Sequence, residues 1–110
     1  MAIQVVINQV GPLPITATFN ALGDLPMYLE GNGSVWSQKT NQMIGIEVKL
    51  DGKAVGATQI FSNGSATHRA VVPAYIPIQL GQGKHRLSLL PNNSATATDR
   101  NDLYTAVIHY

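Results

Sequence analysis

Apolar and polar residues alternate with a period of two along MIGIEVKL (43–50). Ile44, Ile46, Val48 and Leu50 fall on one side, and Gly45, Glu47 and Lys49 on the other. That spacing gives an extended strand one apolar face, whereas a helix would scatter the same residues around its axis. Asp51-Gly52 follows at once, a pair that tolerates the positive φ angles of a two-residue hairpin turn, so KAVGATQIF (53–61) should return antiparallel. Similar short runs, punctuated by Gly, Pro and Asn, predict strands over 2–8, 15–20, 26–31, 85–90 and 103–110, and over 68–80 with breaks at Pro73 and Pro77. Gly81-Gln82-Gly83 reads as a further hairpin loop. No window sustains the i, i+3, i+4 apolar pattern of a long helix. About eight short strands in 110 residues, without linker or repeat, predict one domain over 1–110. The expected fold is an all-β, two-sheet antiparallel sandwich, with jelly-roll topology the first choice and an immunoglobulin-like arrangement the second.

With 45% hydrophobic and 12% charged residues, the chain can bury a core and does not resemble a disordered, highly charged segment. Its seven basic residues are scattered and leave a net charge of +1. Nucleic-acid binding needs a concentrated basic stripe to neutralise phosphates, so it is not expected. The lack of cysteine removes disulfides, thiol catalysis and cysteine-ligated zinc. The opening MAIQVVINQVGPLP has no basic residue ahead of its apolar part and meets proline early, unlike a secretory or transit peptide. The expectation is synthesis in the cytoplasm, with release to the exterior or incorporation into a particle left open. No apolar run approaches the roughly 20 residues that span a bilayer, so no membrane insertion is expected.

One strand departs from the one-face rule. In LYTAVIHY (103–110), Leu103, Thr105, Val107 and His109 alternate with Tyr104, Ala106, Ile108 and Tyr110, so both faces carry apolar bulk. AIQVVIN shows a weaker version through Val5, Val6 and Ile7. A sandwich strand normally wets one face, so the outer face of such a strand calls for a cover. Either a neighbouring subunit, in a dimer or trimer, or the chain's own loops could supply it.

Candidate chemistry is sparse. No serine sits in a G-x-S-x-G elbow; GNGSV (31–35) and SNGSA (62–66) read as Asn-Gly turns, and His68, His85 and His109 fall in expected strands. An enzyme is therefore not expected. Asp99, Asn101 and Asp102 are oxygen donors of the kind Ca²⁺ prefers, and they are the ligands if that ion binds. An Asx-rich turn is the favoured reading of the same residues. No other cofactor is indicated, and the absence of HxH or HxxxH pairs argues against zinc.

Sugar sites need planar hydrogen-bonding groups beside an aromatic or apolar surface. Three polar loops, 30–42, 62–69 and 92–102, offer these parts, including the single tryptophan. The candidate ligand-binding residues are Trp36, Asn63, His68, Arg69, Asp99, Asn101 and Asp102. Trp36 leans toward a place in the core, since large aromatics usually supply buried area. Asn63-Gly64 marks a turn, and His68 and Arg69 should then point to opposite faces of the next strand, so that only one reaches a ligand. The Asn-x-Ser triplets at Asn32, Asn63 and Asn92 read as turn residues.

VKLDGKAVGATQIF (48–61) is similar to the strand–DG–strand hairpin of bacterial extracellular sandwich domains, and IQLGQGKHRLSL (78–89) resembles the pattern with which such domains enter a late strand. The family includes carbohydrate-binding modules and adhesive β-sandwiches. The resemblance implies the sandwich fold and tilts the function toward glycan binding, while the matching positions are structural and transfer no ligand contact. A tumour-necrosis-factor-like or C1q-like jelly roll would also fit the length and the last strand, without a diagnostic motif. The expected function is a non-enzymatic, lectin-like module that binds a glycan or cell-surface ligand and acts as a homo-oligomer. The alternative is a structural assembly unit of a phage, tail or capsid-like particle.

Overall fold

The computed structural model of the chain describes residues 2–23 and 26–110. It contains nine strands: β1 (Ile3–Val10), β2 (Ile15–Ala21), β3 (Met27–Val35), β4 (Gln42–Leu50), β5 (Lys53–Ser62), β6 (Arg69–Ala70), β7 (Ala74–Ile78), β8 (Gly83–Pro91) and β9 (Leu103–His109). Among the described residues there is no helix. One sheet runs β1-β9-β3, with β7 pairing the first half of β3 and β6 its last two residues; the other runs β2-β8-β4-β5. Every pairing is antiparallel. β6 and β7 are the expected 68–80 strand, broken over 71–73 where Pro73 has no N–H to give a ladder. Counted as one, they leave eight strands in the orders 1-8-3-6 and 2-7-4-5, which is a jelly roll.

With β6 and β7 counted as one, β4–β5 is the one hairpin among the described residues, and the other connections cross between sheets. The hairpin turns on Asp51 and Gly52, at φ 53° and 83°, as the sequence suggests. The segment 81–83 is not a hairpin: it carries the chain from β7 in one sheet to β8 in the other. Nor is GNGSV a turn. It is the second half of β3, with Asn32 opposite Thr105 and Gly33 opposite Tyr104. A Cβ on Gly33 would lie 2.3 Å from the Tyr104 ring, so this glycine exists to seat an aromatic. SNGSA does lie in a loop, but its positive φ falls on Ala66, at 56°.

The two sheets enclose the rows the alternation placed inward. Ile44, Ile46, Val48 and Leu50 of β4 meet Leu29 of β3 and Ala106 and Ile108 of β9 in one buried cluster. Each such aliphatic side chain, fully buried, stabilises the fold by about 1.5–3 kcal/mol. The run Val5-Val6-Ile7 faces both ways because of a bulge: the pairing with β9 slips between Val5 and Ile7, leaving Val6 as the extra residue.

Candidate functional site

The connections 11–14, 36–41, 63–68 and 92–102 all lie at one end of the sandwich, since each follows a strand running in the same direction. Backbone bonds knit them together. Trp36 and Ala97 exchange N–H···O bonds of 3.0 and 2.7 Å, the Ala66 N–H donates to Ser37 O (2.6 Å), and the Gly11 N–H to Asp102 O (2.8 Å). Four connections remote in sequence thus meet.

At their junction lies Asp102, one residue before β9, with no exposed surface. Its Oδ1 accepts from the Ser34 hydroxyl (2.6 Å) and lies 2.6 Å from His68 Nδ1, and its Oδ2 accepts from the Asp99 N–H (2.8 Å). This carboxylate therefore ties the end of β3, the loop before β6 and the turn before β9 to one point. The turn is shaped by Asp99, whose Oδ1 accepts the Asn101 N–H at 2.8 Å. Behind it, Tyr104 is wholly buried and its hydroxyl donates to Ser34 O at 2.7 Å. Burial pushes the Tyr104 phenol far above its ordinary range, and the charge of Asp102 adds to the shift.

The outer side of the cluster is open. His68 is one third exposed, and its Nε2 stands 3.7 Å from Asp99 Oδ2. The hydrogen bond to Asp102 raises the His68 pKa above its ordinary value against the opposing effect of burial. The Trp36 ring lies beside this imidazole, with centroids 5.8 Å apart at 37°. Trp36 is half-buried and stands outside the core cluster, contrary to the lean taken from its size. Its indole N–H is shut off from solvent and finds no partner among the described residues.

Of the seven candidate residues, the fold brings Trp36, His68, Asp99 and Asp102 into one group. Asn101 joins through its backbone. Asn63 and Arg69 are exposed on the framing loop and strand, without a side-chain bond to the group among the described residues. Sequence reasoning missed Ser34 and Tyr104. Their only signal was position: Ser34 two residues before the tryptophan, Tyr104 two after Asp102.

The arrangement contains a serine, a histidine and an aspartate, yet in an order unlike a nucleophile relay. Ser34 gives its proton to Asp102, the same oxygen that holds His68, so the imidazole does not face the hydroxyl as a base. For a metal ion, His68, Asp99 and Asp102 offer ligand atoms that all lie within 4.8 Å of one another. A histidine thus joins the two aspartates.

His85 lies at the opposite end and has a different task. Its Nδ1 contacts Asp51 Oδ2 (2.6 Å) and its Nε2 contacts Gly81 O (2.7 Å), while the Arg86 N–H donates to Asp51 Oδ1 (2.8 Å). With an acceptor at each nitrogen, the ring is a clamp between the hairpin turn and the β7–β8 crossing. The bond to Asp51 raises the His85 pKa, and the same bond lowers that of Asp51.

No protein-family model matches the chain, and no curated protein matches its sequence. Solved structures share its fold. Dimeric latent PorU from Porphyromonas gingivalis aligns over 96% of this chain with a TM-score of 0.57 at 8% identity, and this chain spans 11% of that one's length. The EclA C-terminal domain, described as a sugar-binding protein, aligns over 93% of this chain and 69% of its own, with a TM-score of 0.53 at 13% identity. A family 35 carbohydrate-binding module from Clostridium thermocellum covers 96% of this chain and 89% of its own, with a TM-score of 0.48 at 15% identity. The class the first two define is the antiparallel β-sandwich. The resemblance to bacterial sandwich domains holds at the level of the fold.

Proposed function

We propose that the protein is a non-catalytic glycan-binding module that acts as a homo-oligomer, with its ligand site at the loop end around Trp36 and His68. One observation carries the reading: three separate loops converge to set a partly open aromatic ring beside an anchored histidine and an exposed carboxylate. The ring supplies an apolar surface for sugar C–H groups, and Asp99, Asn101, Asn63 and Arg69 supply planar hydrogen-bonding groups around it. The likeness in fold to the sugar-binding EclA domain supports the reading. Ca²⁺ enters it as an ion whose ligands are Asp99, Asn101 and Asp102. A second reading, the structural assembly unit, is favoured by the open apolar face described below.

The test is a glycan array probed with labelled protein, with and without Ca²⁺, alongside Trp36→Ala. Selective, competable binding that Trp36→Ala abolishes while the domain stays folded supports the reading. Loss of signal in chelator assigns the ion to the site. Silence across a broad array from folded protein shifts the choice to the assembly unit.

A further inference from the structure

The outward face of the β1-β9-β3-β7 sheet is uncovered. Its pairing register sets the side chains in rows across the four strands. One row is Ile3, His109, Tyr28 and Pro77; the next is Val5, Val107, Glu30 and Tyr75. Ile3, Val5, Tyr28 and Tyr75 are 62%, 56%, 55% and 65% exposed. Among the described residues no loop covers these side chains, and on the last strand Leu103 is exposed while Thr105, Val107 and His109 are half-buried. Exposed apolar side chains gathered in this way, rather than scattered singly, mark an interaction surface.

Charge separates this face from its opposite. Among the described residues, no outward position of β1, β9, β3 or β7 is lysine or arginine. Glu30 and His109 face each other at 2.9 Å, and the other Glu30 oxygen accepts from the Asn32 amide at 3.1 Å. The two titratable groups thus enter contact already paired, which offsets part of the cost of drying them. The outward face of the other sheet carries Glu47, Lys49, Lys84 and Arg86 instead.

We infer that this face is where two copies of the chain stack, sheet on sheet, about a twofold axis. A second copy brings an identical face without lysine or arginine, its one carboxylate already bonded to His109 and Asn32, and the same rows cover each other. Four strands about 4.8 Å apart, over the five residues that β7 pairs, span on the order of 300 Å² in plan. The accessible surface, corrugated by side chains, is larger than this plan area, and a standard interface takes roughly 800 Å² per partner. The rows lie at the end of the sandwich away from Trp36 and His68, so both loop sites stay free. This locates the self-association proposed above and is independent of what the loops bind.

Sedimentation equilibrium of the full chain tests it, with Val5→Lys and Tyr75→Lys on this face and Met43→Lys on the other as control. All three positions are about half exposed or more, so the variants keep the fold, checked by circular dichroism. The expected result is a dimer whose dissociation constant rises about 30-fold or more in Val5→Lys and Tyr75→Lys and is unchanged in Met43→Lys. Hydroxyl-radical labelling of the unmodified protein should show Tyr28 and Tyr75 becoming protected as the concentration passes through that constant. A monomer at all concentrations overturns both the face and the self-association. A trimer, or a dimer broken only by Met43→Lys, overturns the face and leaves self-association standing. An array that stays silent with the dimer intact overturns only the glycan reading.

Discussion

Replacing Asp102 removes the point at which three chain segments are tied. In Asp102→Ala the Ser34 hydroxyl, His68 Nδ1 and the Asp99 N–H all lose their partner, at original distances of 2.6, 2.6 and 2.8 Å. His68 is a third exposed and recovers part of its loss from water; Ser34 and the Asp99 amide recover less. Leaving a part-buried donor such as the Ser34 hydroxyl or the Asp99 amide unsatisfied lowers stability by about 1–3 kcal/mol each. Asp102→Asn keeps the shape and one acceptor, but its NH₂ must face either the Asp99 N–H or the Ser34–His68 side. A donor opposed to a donor there costs about 1–3 kcal/mol. Urea unfolding should therefore rank wild type above Asp102→Asn above Asp102→Ala with an unchanged m-value. In the same variants the His68 titration, followed by NMR, should fall back toward the ordinary histidine value, because its bond to Asp102 is the main cause of the elevation. A loss below about 1 kcal/mol for Asp102→Ala, or an unmoved His68 titration, would refute the three-bond anchor.

The His85–Asp51 clamp makes stability depend on pH in a defined window. The raised His85 contributes fully below its unfolded value near 6.5 and loses that contribution as pH rises through its folded value; the lowered Asp51 loses its contribution as pH falls through its own. Tm against pH should therefore show an alkaline decline attributable to His85 that disappears in His85→Gln. Gly33→Ala should lose about 1–3 kcal/mol by overpacking against Tyr104, read by thermal unfolding, and a neutral result would mean that the ring can shift. Trp36 is the only tryptophan and lies 5.8 Å from His68, so its emission should dim as acid converts the neighbouring imidazole to a cation. His68→Gln should flatten that titration.

The strands were legible in the sequence because burying one face of a sheet imposes a period of two. Ile44 to Leu50 could satisfy that only as a strand, and Asp51-Gly52 could take the turn's positive φ angles without help from the rest of the chain. Local chemistry misled where distant packing overruled it. Asn32-Gly33 has the composition of a turn, yet Tyr104, 71 positions on in the chain, needs the space above Gly33, and β3 continues through it. Gly81 to Gly83 likewise suits a hairpin, but which strands a loop joins is set by sheet order, and that depends on contacts no local window contains. The polar residues of the candidate site were visible as types. Their assembly was not, because His68, Asp99 and Asp102 become neighbours only when alternate strands enter opposite sheets and bring their loops to one end. Composition and alternation determined that this chain is a sandwich. Tertiary structure alone decided that Asp102 is buried at its loop junction, with Trp36 and His68 left at the open side.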